Sequence, residues 1–220
     1  TRRSHRRRRR QLQAGADLQQ QLDQAMQLAL ATSLASIVIT SLSSTRAHHR
    51  RGAVLWPVVF ILAPGIVAGA WLGGLFAAGL DSAILKPVFG IFELLVAFNM
   101  LARFKPRQHS NRLGKLRAGA GGGIIGFVSA IVGIGGGTLT VPFLRWHNTP
   151  IRNAVATSAA CGLPIALAGT ASYIYAGWSW HSEHALTLGY VHLTAFVLII
   201  VTSFSVAPLG ARVAHTIPEE

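Results

Sequence analysis

The chain has 220 residues, 51% of them hydrophobic, only seven acidic side chains and a formal charge of +13, with a mean hydropathy of +0.44. That balance excludes an ordinary soluble domain and points to a membrane protein. Nor does the charge mark a nucleic-acid binder: seven arginines sit in the first ten residues, and most other basic residues lie between hydrophobic windows, as cytoplasmic loops do.

Residues 1–24 are basic and Gln-rich, and six hydrophobic windows follow. Residues 52–80, 118–144, 153–182 and 185–211 carry no Lys, Arg, Asp or Glu, and each exceeds the roughly 20 apolar residues that cross a bilayer. Residues 25–45 and 84–102 are weaker windows, the second because it holds Lys86 and Glu93. The lone cysteine, Cys161, lies in an apolar window, which excludes an intrachain disulfide and leaves a packing role. No signal-peptide pattern is present and the chain starts at Thr1, so a piece of a longer protein is expected.

The windows repeat. "ALATS" at residues 29–33 returns as "AVATS" at residues 154–158, and "WLGGLFA" at residues 71–77 returns as "PLGARVA" at residues 208–214. Two such halves are the common plan of secondary transporters. The organisation expected is a first transmembrane repeat over residues 25–103, a basic loop over 104–117 and a second repeat over 118–220. The second copy carries Gly133 to Gly137 ahead of its ATS helix, so the first should carry glycines near positions 8–12, where "RRRRRQL" stands instead. Glycine codons GGC read out of frame become CGG, which encodes arginine. Residues 1–24 are therefore either a frame error or degenerate start, or a genuine basic arm.

Charge suggests the topology. "STRAHHRR" (residues 44–51) and "RFKPRQHSNRLGKLR" (residues 103–117) are both basic, so the helices between them leave and re-enter the cytoplasm. If residues 118–144 cross once, Arg145 and Arg152 lie outside. If the chain folds back at its glycines, both stay inside and the two ATS helices have opposite orientations. The fold-back fits the charges better, and the expectation is an all-α polytopic membrane protein of about six or seven segments, in two inverted repeats with a broken or re-entrant glycine-rich helix.

The break is expected within "GIGGGTLTVPFL", residues 133–144. Irregular backbone at membrane depth is tolerated only where protein covers it or water reaches it. Free N–H groups and the positive end of a helix dipole there would suit a small anion, with Thr138, Thr157 and Ser158 adding neutral hydroxyl donors. The competing reading is packing, since Gly65–Gly69, Gly69–Gly73, Gly119–Gly123, Gly122–Gly126 and Gly133–Gly137 are all G-x-x-x-G pairs. Gly121, Gly123 and Gly126 match a dinucleotide fingerprint only formally, because no strand precedes them and no acidic residue follows at the required distance.

"GGGIIGFVSAIVGIGGGTLTVPFL" and "RNAVATSAACGLPIALAGTASYI" resemble the second half of the TauE/SafE family of sulfite exporters, and "LALATSLASIVITSLSSTRAHHRRGAVLW" with "PGIVAGAWLGGLF" resembles the first. The resemblance covers residues 27–215. It implies a multi-pass protein of the bacterial inner membrane that moves small anions such as sulfite, sulfonates or related organic anions. Carried over by position, the substrate site would include Gly133, Gly135, Gly136, Gly137, Pro142, Thr157 and Ser158, with Thr32 and Ser33 from the first half. The family's first glycine motif has no counterpart here, and neither does a final helix after "HTIPEE".

Glu93, near the middle of its window, is either a coupling-proton site or a structural, partly solvated carboxylate, and Lys86, seven residues earlier on a similar helix face, would reach toward it or toward the interface. His192 reads as interfacial, and His48, His49, His181 and His184 make no metal site. The function expected is secondary transport of small anions without ATP, cofactor, metal or covalent chemistry, with lipid, anion and a coupling proton as partners. The alternative is a non-transporting membrane scaffold or degenerate transporter fragment. Transport direction and oligomeric state leave no mark in the sequence.

Overall fold

A computed structural model describes residues 24–101, 114–179 and 186–203. The expectations for residues 1–23, for most of the basic 104–117 loop, for His181 and His184 and for the "PLGARVA" segment lie outside the described residues. In chain order the elements are α1 (Ala25–Arg50), α2 (Trp56–Ala78), α3 (Ser82–Leu101), α4 (Lys115–Val132), α5 (Gly137–Trp146), α6 (Ile151–Ala176), a hairpin of β1 (Thr187–Leu188) and β2 (Val191–His192), and α7 (Leu193–Ser203). Four helices, α1, α2, α3 and α6, are long and apolar enough to cross a membrane, while α4 and α7 are shorter apolar helices. The protein is a polytopic helical membrane protein.

Helix α1 carries hydroxyls at depth because it satisfies them locally. Thr32 Oγ1 donates to the Leu28 carbonyl (2.6 Å), Ser36 Oγ to Thr32 (2.9 Å) and Thr40 Oγ1 to Ser36 (3.3 Å). Each of these bonds runs back one turn, which satisfies these three hydroxyls within the helix.

Helices α2 and α4 form the most extensive helix pair, and glycine is the reason. A Cβ on Gly65, Gly69 or Gly73 would collide with the carbonyl oxygens of Gly119, Gly123 and Phe127, and one on Gly126 with that of Ile66. Backbone meets backbone over three successive turns, which is the close approach that G-x-x-x-G spacing permits.

Helix α6 is the centre of the bundle. Of its most apolar 18-residue window 56% is buried, against 11% for α3. Tyr173 is fully buried and its hydroxyl donates to the Ala130 carbonyl of α4 (3.3 Å), while Leu34 of α1 lies against Gly169. Cys161 is a buried free thiol in the same core. Helix α3 is pinned only at its start, where Ser82 Oγ donates to Gln27 Oε1 (2.8 Å), Gln27 Nε2 donates to the Leu80 carbonyl, and Leu85 is buried. Beyond that it presents Ile91, Leu94, Leu95 and Phe98 outward, the faces that meet lipid hydrocarbon.

Two windows differ from single continuous spans. Residues 118–144 divide into α4 and α5, because Gly133 closes α4 in the left-handed region (φ 72°, ψ 27°). With ten residues, α5 is about 15 Å long and too short to cross a bilayer. Residues 185–211 begin not as helix but as the β1–β2 hairpin, with Thr187 opposite His192 and Leu188 opposite Val191. Gly189 (φ 56°) makes the turn and lies against Ile174 at the end of α6. His192 then starts α7 by accepting the Ala195 amide at Nδ1 (3.2 Å).

Candidate functional site

The break between α4 and α5 opens onto a cavity of about 330 Å³. Gly135, Gly136 and Gly137 form one wall, Ser158 and Gly162 of α6 a second, and a face of α1 the third. That face is a stripe at helical spacing, Ile37, Thr40, Ser41, Ser44 and His48.

Helix α5 starts at the edge of this space. The first intrahelical bond of α5 runs from the Thr140 amide to the Gly136 carbonyl (2.9 Å), and no side chain caps the helix. The amides of Gly137, Thr138 and Leu139 therefore have no carbonyl one turn back to reach. Donors of this kind carry the positive end of the helix dipole.

The three consecutive glycines play different parts. A Cβ on Gly136 would sit 2.9 Å from the Ser158 carbonyl and 3.1 Å from the Gly162 nitrogen, so this glycine lets α6 approach the break. On Gly135 it would meet Ile37 at an ordinary 3.5 Å, and on Gly137 it would meet nothing within 4 Å. Packing does not account for Gly137.

Of the residues singled out from sequence, the cavity brings together Gly135, Gly136, Gly137 and Ser158. Ser158 Oγ donates back to the Val155 carbonyl (2.8 Å), leaving its lone pairs free. Thr157 is fully buried, and its Oγ1 accepts the Leu55 amide (3.1 Å), tying α6 to the entry of α2. Gly133 is packed on Leu30. Thr138 and Pro142 are exposed on α5 and line neither this cavity nor its neighbour, and Glu93 is exposed on α3.

Thr32 and Ser33 lie in that neighbouring cavity, of about 560 Å³, with Ser36 and His192. Ser33 Oγ donates to the Gly133 carbonyl (2.8 Å), and Thr32 Oγ1 accepts the His192 amide (3.0 Å). The two cavities flank α1 and share Ile37 and Thr40 as a common wall.

Sequence reasoning missed Thr40, Ser41, Ser44 and His48. Their three- and four-residue spacing within "TSLSSTRAHH" was the available signal. Charge is one-sided here: the only carboxylates among the described residues, Asp81 and Glu93, line neither cavity, whereas Arg46, Arg50 and Arg51 cluster at the end of α1.

Comparison with known proteins agrees with this architecture. The family model described as sulfite exporter TauE/SafE matches residues 18–220. A "probable membrane transporter protein" of Haemophilus influenzae is 37% identical over 194 residues, covering 88% of this chain and 74% of the relative. Similarly named proteins of Methanocaldococcus jannaschii and Bacillus subtilis (YunE) are each 29% identical, over 87% and 76% of this chain and 72% and 69% of their own lengths. No solved structure matches the chain significantly. A glycine-broken helix set against hydroxyl-bearing helices in an apolar bundle, with a family match over most of the chain, places this protein in the TauE/SafE family.

Proposed function

We propose that the protein is a secondary transporter of small anions, of the sulfite, sulfonate or related organic class, in the bacterial inner membrane. The observation that carries this reading is one cavity walled by Gly135, Gly136 and Gly137 at the uncapped start of α5 and by Ser41 of α1, with no carboxylate among the described residues that line it. Amide and hydroxyl donors hold an anion without burying a permanent countercharge. At about 330 Å³ the space has room for a sulfite or a short sulfonate.

Transport needs access from both sides. The neighbouring cavity, which shares Ile37 and Thr40 with the first, would in this reading be the second compartment. In this reading the ATS segments of α1 and α6 are counterparts in two inverted repeats, and the basic end of α1 faces the cytoplasm.

Flux of labelled sulfite and methanesulfonate into liposomes holding the purified chain tests the proposal. Saturable uptake that Gly137→Ala reduces without unfolding the protein supports it. Absence of flux for every anion offered, from protein with normal helix content, would favour the scaffold reading.

A further inference from the structure

His48 lies on the cavity-lining stripe of α1, at its basic end. It is half-buried, and its ring makes no hydrogen bond among the described residues. It is also the one titratable side chain among the described residues that line the cavity. We propose that His48 is the residue through which this cavity takes up a proton together with its anion.

The argument is one of charge. Amides and hydroxyls orient an anion but leave its full negative charge in a medium of low dielectric, where an unpaired ion is expensive. An imidazole that gains a proton as the anion enters forms an imidazolium facing it, and the occupied cavity becomes neutral. On release the proton leaves with the anion, so the empty site need not carry a buried cation. A permanently charged arginine would not allow that return, and imidazole is the side chain whose charge ordinarily changes within the physiological range. The balance is one proton per monovalent anion.

The charged groups around His48 among the described residues are all cationic, so they draw an anion toward it and offer the ring no counterion of their own. On α1 and the turn after it these are Arg46, His49, Arg50 and Arg51, and His49 is already engaged, its Nδ1 accepting from Trp56 Nε1 (3.0 Å). Helix α6 brings Arg152 one turn before Val155, and the glycine segment brings no charge before Arg145. No carboxylate among the described residues lines the cavity, which leaves the anion as the imidazolium's counterion.

This inference rests on the cavity being an anion site, and the experiment separates the two. Binding of labelled methanesulfonate, a monoanion throughout, would be measured on the full chain in nanodiscs between about pH 5 and pH 8. Wild-type affinity should fall as pH rises, approaching roughly tenfold per unit at the alkaline end, the slope of one linked proton. His48→Gln should bind weakly with no slope. His48→Arg should bind at every pH with no slope, and Glu93→Gln should keep the wild-type profile. A slope that persists in His48→Gln, or disappears in Glu93→Gln, overturns the assignment to His48 while leaving the anion site standing. Binding by wild type with no slope overturns the linked proton. No binding by wild type at any pH overturns the anion site and this inference together.

Discussion

The hydroxyl of Ser33 donates to the carbonyl of Gly133 at 2.8 Å, across 100 residues of sequence. Gly133 ends α4, so its carbonyl has lost the helical donor it would otherwise have, and α1 supplies a replacement. Ser33→Ala should therefore destabilise the protein by about 1–3 kcal/mol, the cost of an unpaired buried acceptor. Unfolding in mixed micelles would measure it. An unchanged midpoint would mean that the break holds itself in place.

Gly136 and Gly137 are neighbours with opposite expectations. Gly136→Ala forces a methyl against the Ser158 carbonyl and should cost about 1–3 kcal/mol of stability through overpacking. Gly137→Ala meets no atom within 4 Å and should fold normally. Its methyl should still hinder an anion's approach, weakening methanesulfonate binding roughly tenfold, equivalent to about 1.4 kcal/mol. Melting curves and binding isotherms on both variants separate the effects; equal binding by Gly137→Ala and wild type would count against α5 amides as ligands.

Gly69→Leu should prevent α2 from packing on α4, because even a Cβ there collides with the Gly123 backbone. Loss of a monodisperse elution peak is the expected readout. Gly90→Ala on α3 is the control: nothing lies within 4 Å of its position, and behaviour should match wild type.

Thr157→Val keeps the shape of the side chain and removes the acceptor for the Leu55 amide. We expect a loss of about 1–3 kcal/mol in stability. If anion binding fell with stability unchanged, Thr157 would belong to the site after all.

These contrasts show which parts of the molecule the sequence discloses. The break was legible because glycines and Pro142 interrupt an apolar window, and hydropathy makes such an interruption conspicuous. The division of labour among glycines was not, since Gly136 and Gly137 share composition and spacing and differ only in what another helix places beside them. Thr157 and Ser158 pose the same problem: adjacent on a helix, they point about 100° apart, one toward the α2 entry and the other to the cavity. The hairpin at residues 187–192 stayed hidden inside an apolar window because hydropathy records affinity for hydrocarbon and not backbone direction. His48 looked like part of a basic loop, and only the length of α1 carries it onto the cavity wall.

The backbone contact between α2 and α4 also limits how the molecule can change shape. Helices separated by side chains can slide as rotamers readjust, but here glycine and carbonyl interlock along three turns with nothing between them to yield. Because α2 comes from the first half of the chain and α4 from the second, that seam makes the halves one chassis. Beside that frame lies α5, flanked by the left-handed residues Gly133 (φ 72°) and Asn148 (φ 64°). The seam leaves a stiff frame, with the ten-residue α5 as the shortest described helix set against it.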